Sequence, residues 1–257
     1  INYEKFLKKN IFKNDEYFQF ELLFKDFKKL NSIKYKHAAI LERSYMYDNK
    51  SIFIPLLKKT KKNTSIDFKI KNHKDRRGIQ DSFLKDLKID LPKSTFWIKD
   101  LENKFVSNFK TLDNDLLIIP NSLHHISNFN LMLSKIDILM PKLKYIYIFD
   151  SYLREGHQSP NDYCRYTTYS LISLLNLYKF KDINVRETGN VFDAILYLFS
   201  QSKELLKNKE LKGIYSVYNK DLKNKLLAER DKKKWVGLGR KYAKMNTAYS
   251  ILFKKYA

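Results

Sequence analysis

The chain has 257 residues, 44% hydrophobic and 15% aromatic, enough apolar material for a sizeable core, which excludes disorder over most of its length. Its formal charge of +22 is carried almost wholly by 42 lysines against 8 arginines, and no apolar run reaches the roughly eighteen residues of a spanning helix. Nucleic-acid readers rely on arginine for bidentate contacts; here only Arg76 and Arg77 adjoin, so nucleic acid is not an expected partner. The charge reads first as a solvated surface of biased composition. Its functional readings are attraction to phosphate-bearing partners such as nucleotide sugars, anionic membranes or RNA. Cys164 is the lone cysteine, with no disulfide partner and no metal-ligand spacing. "INYEKFLKKN" lacks the apolar centre of a secretory signal, so the expected location is cytoplasmic, with peripheral contact at the inner membrane and oligomerisation left open.

In chain order, residues 1–35 space aromatics and leucines at three and four, predicting a helical N-terminal extension. "AAIL" (38–41) is a predicted strand, "SIFIPLLKK" (51–59) a short helix, "SIDFKI" (65–70) and "STFWI" (94–98) further strands. "DLLIIP" (115–120) is a buried strand, "FNLMLSKIDILM" (129–140) a helix, "KYIYIF" (144–149) a strand and "TTYSLISLLNLYKF" (167–180) a helix. "INVRET" (183–188) and "VFDAILYLFS" (191–200) read as late strands. Residues 201–257 read as a basic helical C-terminal extension, interrupted at "GLG" (237–239). Alternating strands and helices over 36–200 predict an α/β core with a mostly parallel sheet covered on both faces.

In such sheets ligands bind outside the carboxyl ends of the strands. That rule selects Glu42 after "AAIL", Asp67 in "SIDF", Asp100 after "STFWIK", Asn121 to His125 after "DLLIIP", and Asp150 after "YIYIF". One such residue is ordinarily a helix cap. A row of them suits a nucleoside-like ligand, whose ribose hydroxyls need carboxylate acceptors.

"DNDLLIIPNSLHHISNFNLMLSKIDILMPKLKYIYIFD" and "STFWIKDLENKF" resemble the second half of a class I S-adenosylmethionine-dependent methyltransferase. "GHQSPNDYCRYTTYSL" resembles the His-x-x-Pro-x-Asp-Tyr-x-Arg-aromatic-Thr signature of a divergent branch associated with bacterial surface, or capsular, polysaccharide biosynthesis. His157, Pro160, Asp162, Tyr163, Arg165, Tyr166 and Thr167 match it. The resemblance covers about residues 36–200 and is strongest over 95–180. It implies a Rossmann-like methyltransferase fold with a seven-stranded sheet, S-adenosylmethionine as cofactor and S-adenosylhomocysteine as product. It further implies cofactor contacts from Glu42, Asp67 (ribose), Asp100 and Leu101 (adenine), Asn121 and His125. The chain departs from the family after the first strand, where "LERSYMYDNKSIF" replaces an acidic glycine-rich loop.

The implied reaction is O-methylation of a nucleotide-linked or polymer-linked sugar, which requires positioning and removal of a hydroxyl proton. His157 is the first candidate base, Asp150 the second and His125 the third. Arg76, Arg77, Arg154, Gln158 and Arg165 are candidate substrate contacts, although for Arg165 bracing its loop against Asp162 is the favoured role, because polar loops at a sheet edge need internal partners. Another phosphorylated small molecule or a glycan phosphate decoration is an alternative acceptor. RNA methylation and a cofactor-free scaffold are the remaining readings.

Overall fold

Strand residues buried on both sides set the layering of the molecule. The computed structural model describes residues 3–10, 20–41, 46–47, 50–57, 62–67, 95–97, 111–154, 162–205, 213, 221–226, 228 and 246–256. Helices α1 (Tyr3–Asn10) and α2 (Phe20–Leu30) precede strands β1 (His37–Leu41), β2 (Lys62–Asp67), β3 (Thr95–Trp97) and β4 (Leu116–Pro120). Then follow α3 (Phe129–Leu139), β5 (Tyr145–Ser151), α4 (Thr168–Leu177), β6 (Phe180–Thr188), α5 (Val191–Leu205) and β7 (Ala248–Lys255).

The sheet is mixed, with seven strands in the order β3-β2-β1-β4-β5-β7-β6. Strands β3, β2, β1, β4 and β5 pair in parallel, and β7 runs antiparallel to both β5 and β6. From β1 the chain moves outward to β2 and β3, then returns to place β4 on the other side of β1. That reversal opens the crevice between β1 and β4 where a ligand of such a sheet binds.

Side chains alternate across the strands. Ala39, Leu41, Leu117, Ile119, Ile146, Ile148, Ile251 and Phe253 pack under α3 and α4. Ala38, Ile40, Leu116, Ile118, Tyr147, Phe149 and Leu252 pack against α1, α2 and the segment 52–57. Two covered faces explain why β4 and β5 read as continuous apolar runs rather than alternating ones. In α2, Phe20, Leu23, Phe24, Phe27 and Leu30 form the buried stripe. Its Asp26 accepts a hydrogen bond from the Tyr147 hydroxyl at 3.0 Å and pairs with Arg186 of β6. Burial, and then the Asp26 charge, hold the Tyr147 phenol well above its ordinary pKa, so it stays a donor.

Three expectations are corrected. "VFDAILYLFS" belongs to helix α5, not a strand. A short apolar run does not by itself distinguish the two. The deciding signal is Asn190: its side chain accepts from the Phe192 and Asp193 amides while Asp193 accepts from the Asn190 amide, a reciprocal N-terminal cap. The basic tail is not wholly a helical extension, because "AYSILFKK" is β7, seated inside the sheet between β5 and β6. A core ending at residue 200 would therefore lack one of its strands. Likewise 1–35 is no appendage: Leu7 and the stripe of α2 complete the covering of one sheet face. Within 51–59 the described residues include a 3-10 turn, Ile54–Leu56, with Pro55 at its second position. Strand β2 starts at Lys62, earlier than expected, and 68–70 lie outside the described residues.

Candidate functional site

Register places Leu41 of β1 beside Ile66, Asp67 of β2 beside Trp97, and Pro120 of β4 beside Phe149. Strands β1 to β5 thus end on one edge, and the polar residues that follow gather there. Asp67 is the last residue of β2, one strand from the crevice.

Asn121 leaves β4 with φ 54, the left-handed conformation that asparagine tolerates better than most residues. Its amide donates to the Phe149 carbonyl at 2.6 Å, and its Oδ1 accepts from the Ser151 hydroxyl at 3.1 Å. Asn121 is buried, and its Nδ2 has no hydrogen-bond partner among the described residues. A buried amide donor left open costs about 1–3 kcal/mol, so such a group at a ligand edge points to a ligand acceptor.

Below it, Asp150 organises the turn after β4. Its Oδ1 accepts from His124 Nδ1 at 2.8 Å and from the Ser151 amide at 2.8 Å, and its Oδ2 accepts from the His124 amide at 3.1 Å. Burial alone would raise the Asp150 pKa; His124, the Ser151 amide and the Arg154 charge outweigh it and hold the carboxyl below its ordinary value. A carboxylate so engaged is a poor proton acceptor. The geometry gives Asp150 the task of holding His124 and the turn after β4. His125 is buried beside it, the two imidazoles 4.1 Å apart and tilted by 53°.

The segment after β5 docks on this turn. The Tyr163 amide donates to the His124 carbonyl at 2.9 Å, and the Cys164 thiol lies 3.9 Å from the Ile126 carbonyl. Arg165 grips Asp162 with both arms of its fork and donates to the Cys164 carbonyl at 2.9 Å. This is the bracing arrangement, and it draws the guanidinium away from a free substrate contact. Thr167 then caps α4 in a reciprocal box with Ser170. Burial raises the Cys164 pKa, keeping the thiol neutral and unsuited to nucleophilic work.

Beyond Asp150, Tyr249 of β7 lies against Tyr152 with ring centroids 4.7 Å apart. The Tyr249 hydroxyl is buried with no hydrogen-bond partner among the described residues. Burial, then the Asp150 charge, push its pKa well up. Sequence reasoning missed Ser151 and Tyr249, and did not place His124 on Asp150. No local pattern marks them, since the partners come from separate strands. Of the remaining candidates, Arg154 is half-buried. Glu42, Arg76, Arg77, Asp100, Leu101, His157 and Gln158 lie outside the described residues, as does the side chain of Asp67.

No protein-family model matches the chain, and no match was found among curated proteins. Solved structures do match. A protein described as a sarcosine dimethylglycine methyltransferase from Galdieria sulphuraria is 12% identical, with TM-score 0.50, over 91% of this chain and 84% of that one. A cyclopropane-fatty-acyl-phospholipid synthase-like protein from Lactobacillus casei is 8% identical, with TM-score 0.50, over 93% and 92%. An O-methyltransferase of a Brevibacillus brevis multienzyme, solved with S-adenosyl-L-homocysteine, is 15% identical, with TM-score 0.45, over 90% and 71%. The chain has the Rossmann-like fold of class I S-adenosylmethionine-dependent methyltransferases.

Proposed function

We propose that the chain is an S-adenosylmethionine-dependent O-methyltransferase acting on a nucleotide-linked or polymer-linked sugar of a bacterial surface polysaccharide. The observation that carries the cofactor is Asn121: a buried amide with an open donor, on a left-handed residue, at the crevice beside β1. An amide donor there fits the carboxylate of an amino-acid moiety, and Asp67 at the end of β2 fits ribose hydroxyls. Glu42, Asp100, Leu101 and His125 complete the expected contacts. When bound, the cofactor supplies an electrophilic methyl group on a sulfonium.

The chain's own residues then orient the acceptor and take its proton. His157 is the proposed base, in the signature segment whose following part is stitched to the β4 turn by Tyr163 and Cys164. A base of near-neutral pKa suits a sugar hydroxyl. Arg154, Gln158, Arg76 and Arg77 are proposed to meet the phosphates of a nucleotide sugar. The sugar assignment is supported by the resemblance of 157–167 to the polysaccharide-associated signature.

Two variants test the roles separately. Asn121→Leu should weaken S-adenosylmethionine binding by about tenfold or more in calorimetry, as expected for a lost charge-assisted hydrogen bond, and should also lower the melting temperature, because leucine disfavours φ 54 and leaves the Ser151 hydroxyl without its acceptor. His157→Ala should leave that affinity within about twofold while turnover on nucleotide sugars, read as S-adenosylhomocysteine release, falls by about 10²–10⁴-fold. No cofactor binding by the unaltered chain would overturn the methyltransferase reading. Binding with release on free phosphorylated metabolites but not on sugars would overturn only the acceptor class.

A further inference from the structure

The helices run against the parallel strands, so α3 and α4 end at the amino edge of the sheet, opposite the candidate site. The Leu112 amide donates to the Leu139 carbonyl at 2.8 Å, fixing the end of α3 beside the approach to β4. The Tyr256 amide donates to the Lys179 carbonyl at 2.9 Å, and the Tyr256 hydroxyl to Asn176 Oδ1 at 2.9 Å, joining the end of β7 to the end of α4. Lys255 pairs with Asp137 of α3, and its amide donates to the Lys144 carbonyl at 2.8 Å. These contacts put one set of side chains on a shared rim.

Apolar residues point outward from that rim: Leu177 is 78% exposed, Ile138 62% and Tyr256 45%. Exposed lysines surround them. Lys34, Lys36, Lys144, Lys179, Lys181 and Lys254 make no ion pair among the described residues. Lys34, Lys36, Lys142 and Lys144 also line a groove of about 830 Å³ with His37, Asp113 and Asp115. The carboxylates here are mostly engaged. Asp113 holds Lys142 at 2.7 Å, Asp115 accepts the Lys36 and His37 amides at 3.0 and 2.9 Å, and Asp137 holds Lys255. Asp182, next to Lys181, is a further carboxylate at this edge. From β1 to β6 the rim spans four strand spacings, on the order of 20 Å.

We propose that this amino edge docks on an anionic phospholipid surface. Unpaired lysines supply attraction to acidic headgroups, the groove admits headgroup phosphate among its lysines, and Leu177, Ile138 and Tyr256 enter the interface. Charge complementarity selects this occupant. A second copy would set lysine against lysine. Nucleic acid is read chiefly with arginine and with faces on which bases stack, and the outermost residues here are aliphatic. Docked this way, the candidate site faces away from the bilayer.

Sedimentation of the full chain with vesicles of phosphatidylcholine containing about 30% phosphatidylglycerol, against phosphatidylcholine alone, tests this. Binding is expected only to the acidic vesicles, and it should fall steeply between about 0.1 and about 0.5 M salt. Lys144→Gln/Lys181→Gln/Lys254→Gln should weaken it by at least about tenfold and Leu177→Asp by about fivefold or more, with unchanged melting temperatures. No sedimentation with acidic vesicles, or full binding by both variants, overturns the proposal. So does capture of single-stranded RNA in place of vesicles, or a dimer in light scattering that Leu177→Asp abolishes. The readout is independent of methyl transfer.

Discussion

Asp150→Ala should destabilise the protein by about 3 kcal/mol or more, because it strands three buried donors at once: His124 Nδ1, the His124 amide and the Ser151 amide. Asp150→Asn should fall between the two, since its carboxamide still accepts but now carries donors of its own. Urea unfolding at several pH values separates the charge from the shape. The folded-state pKa of Asp150 lies below the ordinary aspartate value of 3.8, so between those two values the unfolded chain binds more protons. The ionised carboxylate therefore contributes its full stabilisation above about pH 4, and the contribution is lost as pH falls through the folded-state value. The gap between wild type and Asp150→Asn should be constant from pH 7 to about pH 5 and shrink below about pH 4. A gap that widens on acidification would mean that Asp150 is neutral in the folded protein. Because Asp150 holds the turn carrying Asn121 and His125, cofactor affinity should fall alongside stability in Asp150→Ala.

Gly189→Ala is the second large effect. Gly189 has φ +89, and a Cβ there would lie 2.1 Å from Thr247 Oγ1 and 2.9 Å from Thr247 Cβ. The left-handed backbone alone costs about 1–2 kcal/mol with a side chain, and a β-branched neighbour has little rotamer freedom with which to retreat. A total of about 3–5 kcal/mol is expected, or a melting temperature lower by on the order of 10 °C. Thr247 accepts from the Tyr152 and Leu153 amides and donates to the Thr188 carbonyl. Its displacement thus reaches the segment that leads from β5 toward Arg154. In a Thr247→Ala background the same substitution should cost less by about 1 kcal/mol, a coupling that thermal denaturation of the four proteins reads directly. Equal costs in both backgrounds would place the strain in the backbone alone.

How much of this was legible in the sequence follows from where each signal is written. β4, α3, β5 and α4 announce themselves because their apolar runs and heptad-like spacings are local, and their caps are local too: Asn128 accepts from the Leu131 amide, and Thr167 pairs with Ser170. The strand-end rule then found Asn121 and Asp150 from position alone. It could not find what Asp150 does, because His124 lies 26 residues away and only the adjacency of β4 and β5 brings them together. Helix α5 was misread because the six apolar residues in a row, 194–199, outweighed the Asn190 and Asp193 cap. β7 was hidden by its setting: six buried residues inside a lysine-rich tail whose average character is helical and polar. Tyr249 went unseen with it.

The seat of β7 also has a consequence for synthesis. Thr247 donates to Thr188 across 59 positions of sequence, and β7 itself fills the gap between β5 and β6. A ribosome adding about 5–20 residues per second leaves β6 without its sheet neighbour for several seconds. During that interval β5 and β6 both present unpaired backbone edges, the latter bearing the exposed Ile183 and Val185. The nascent chain therefore carries a raised tendency to self-associate from the emergence of β6 until Ala248–Lys255 has followed it, and the arrival of β7 is the event that closes the sheet.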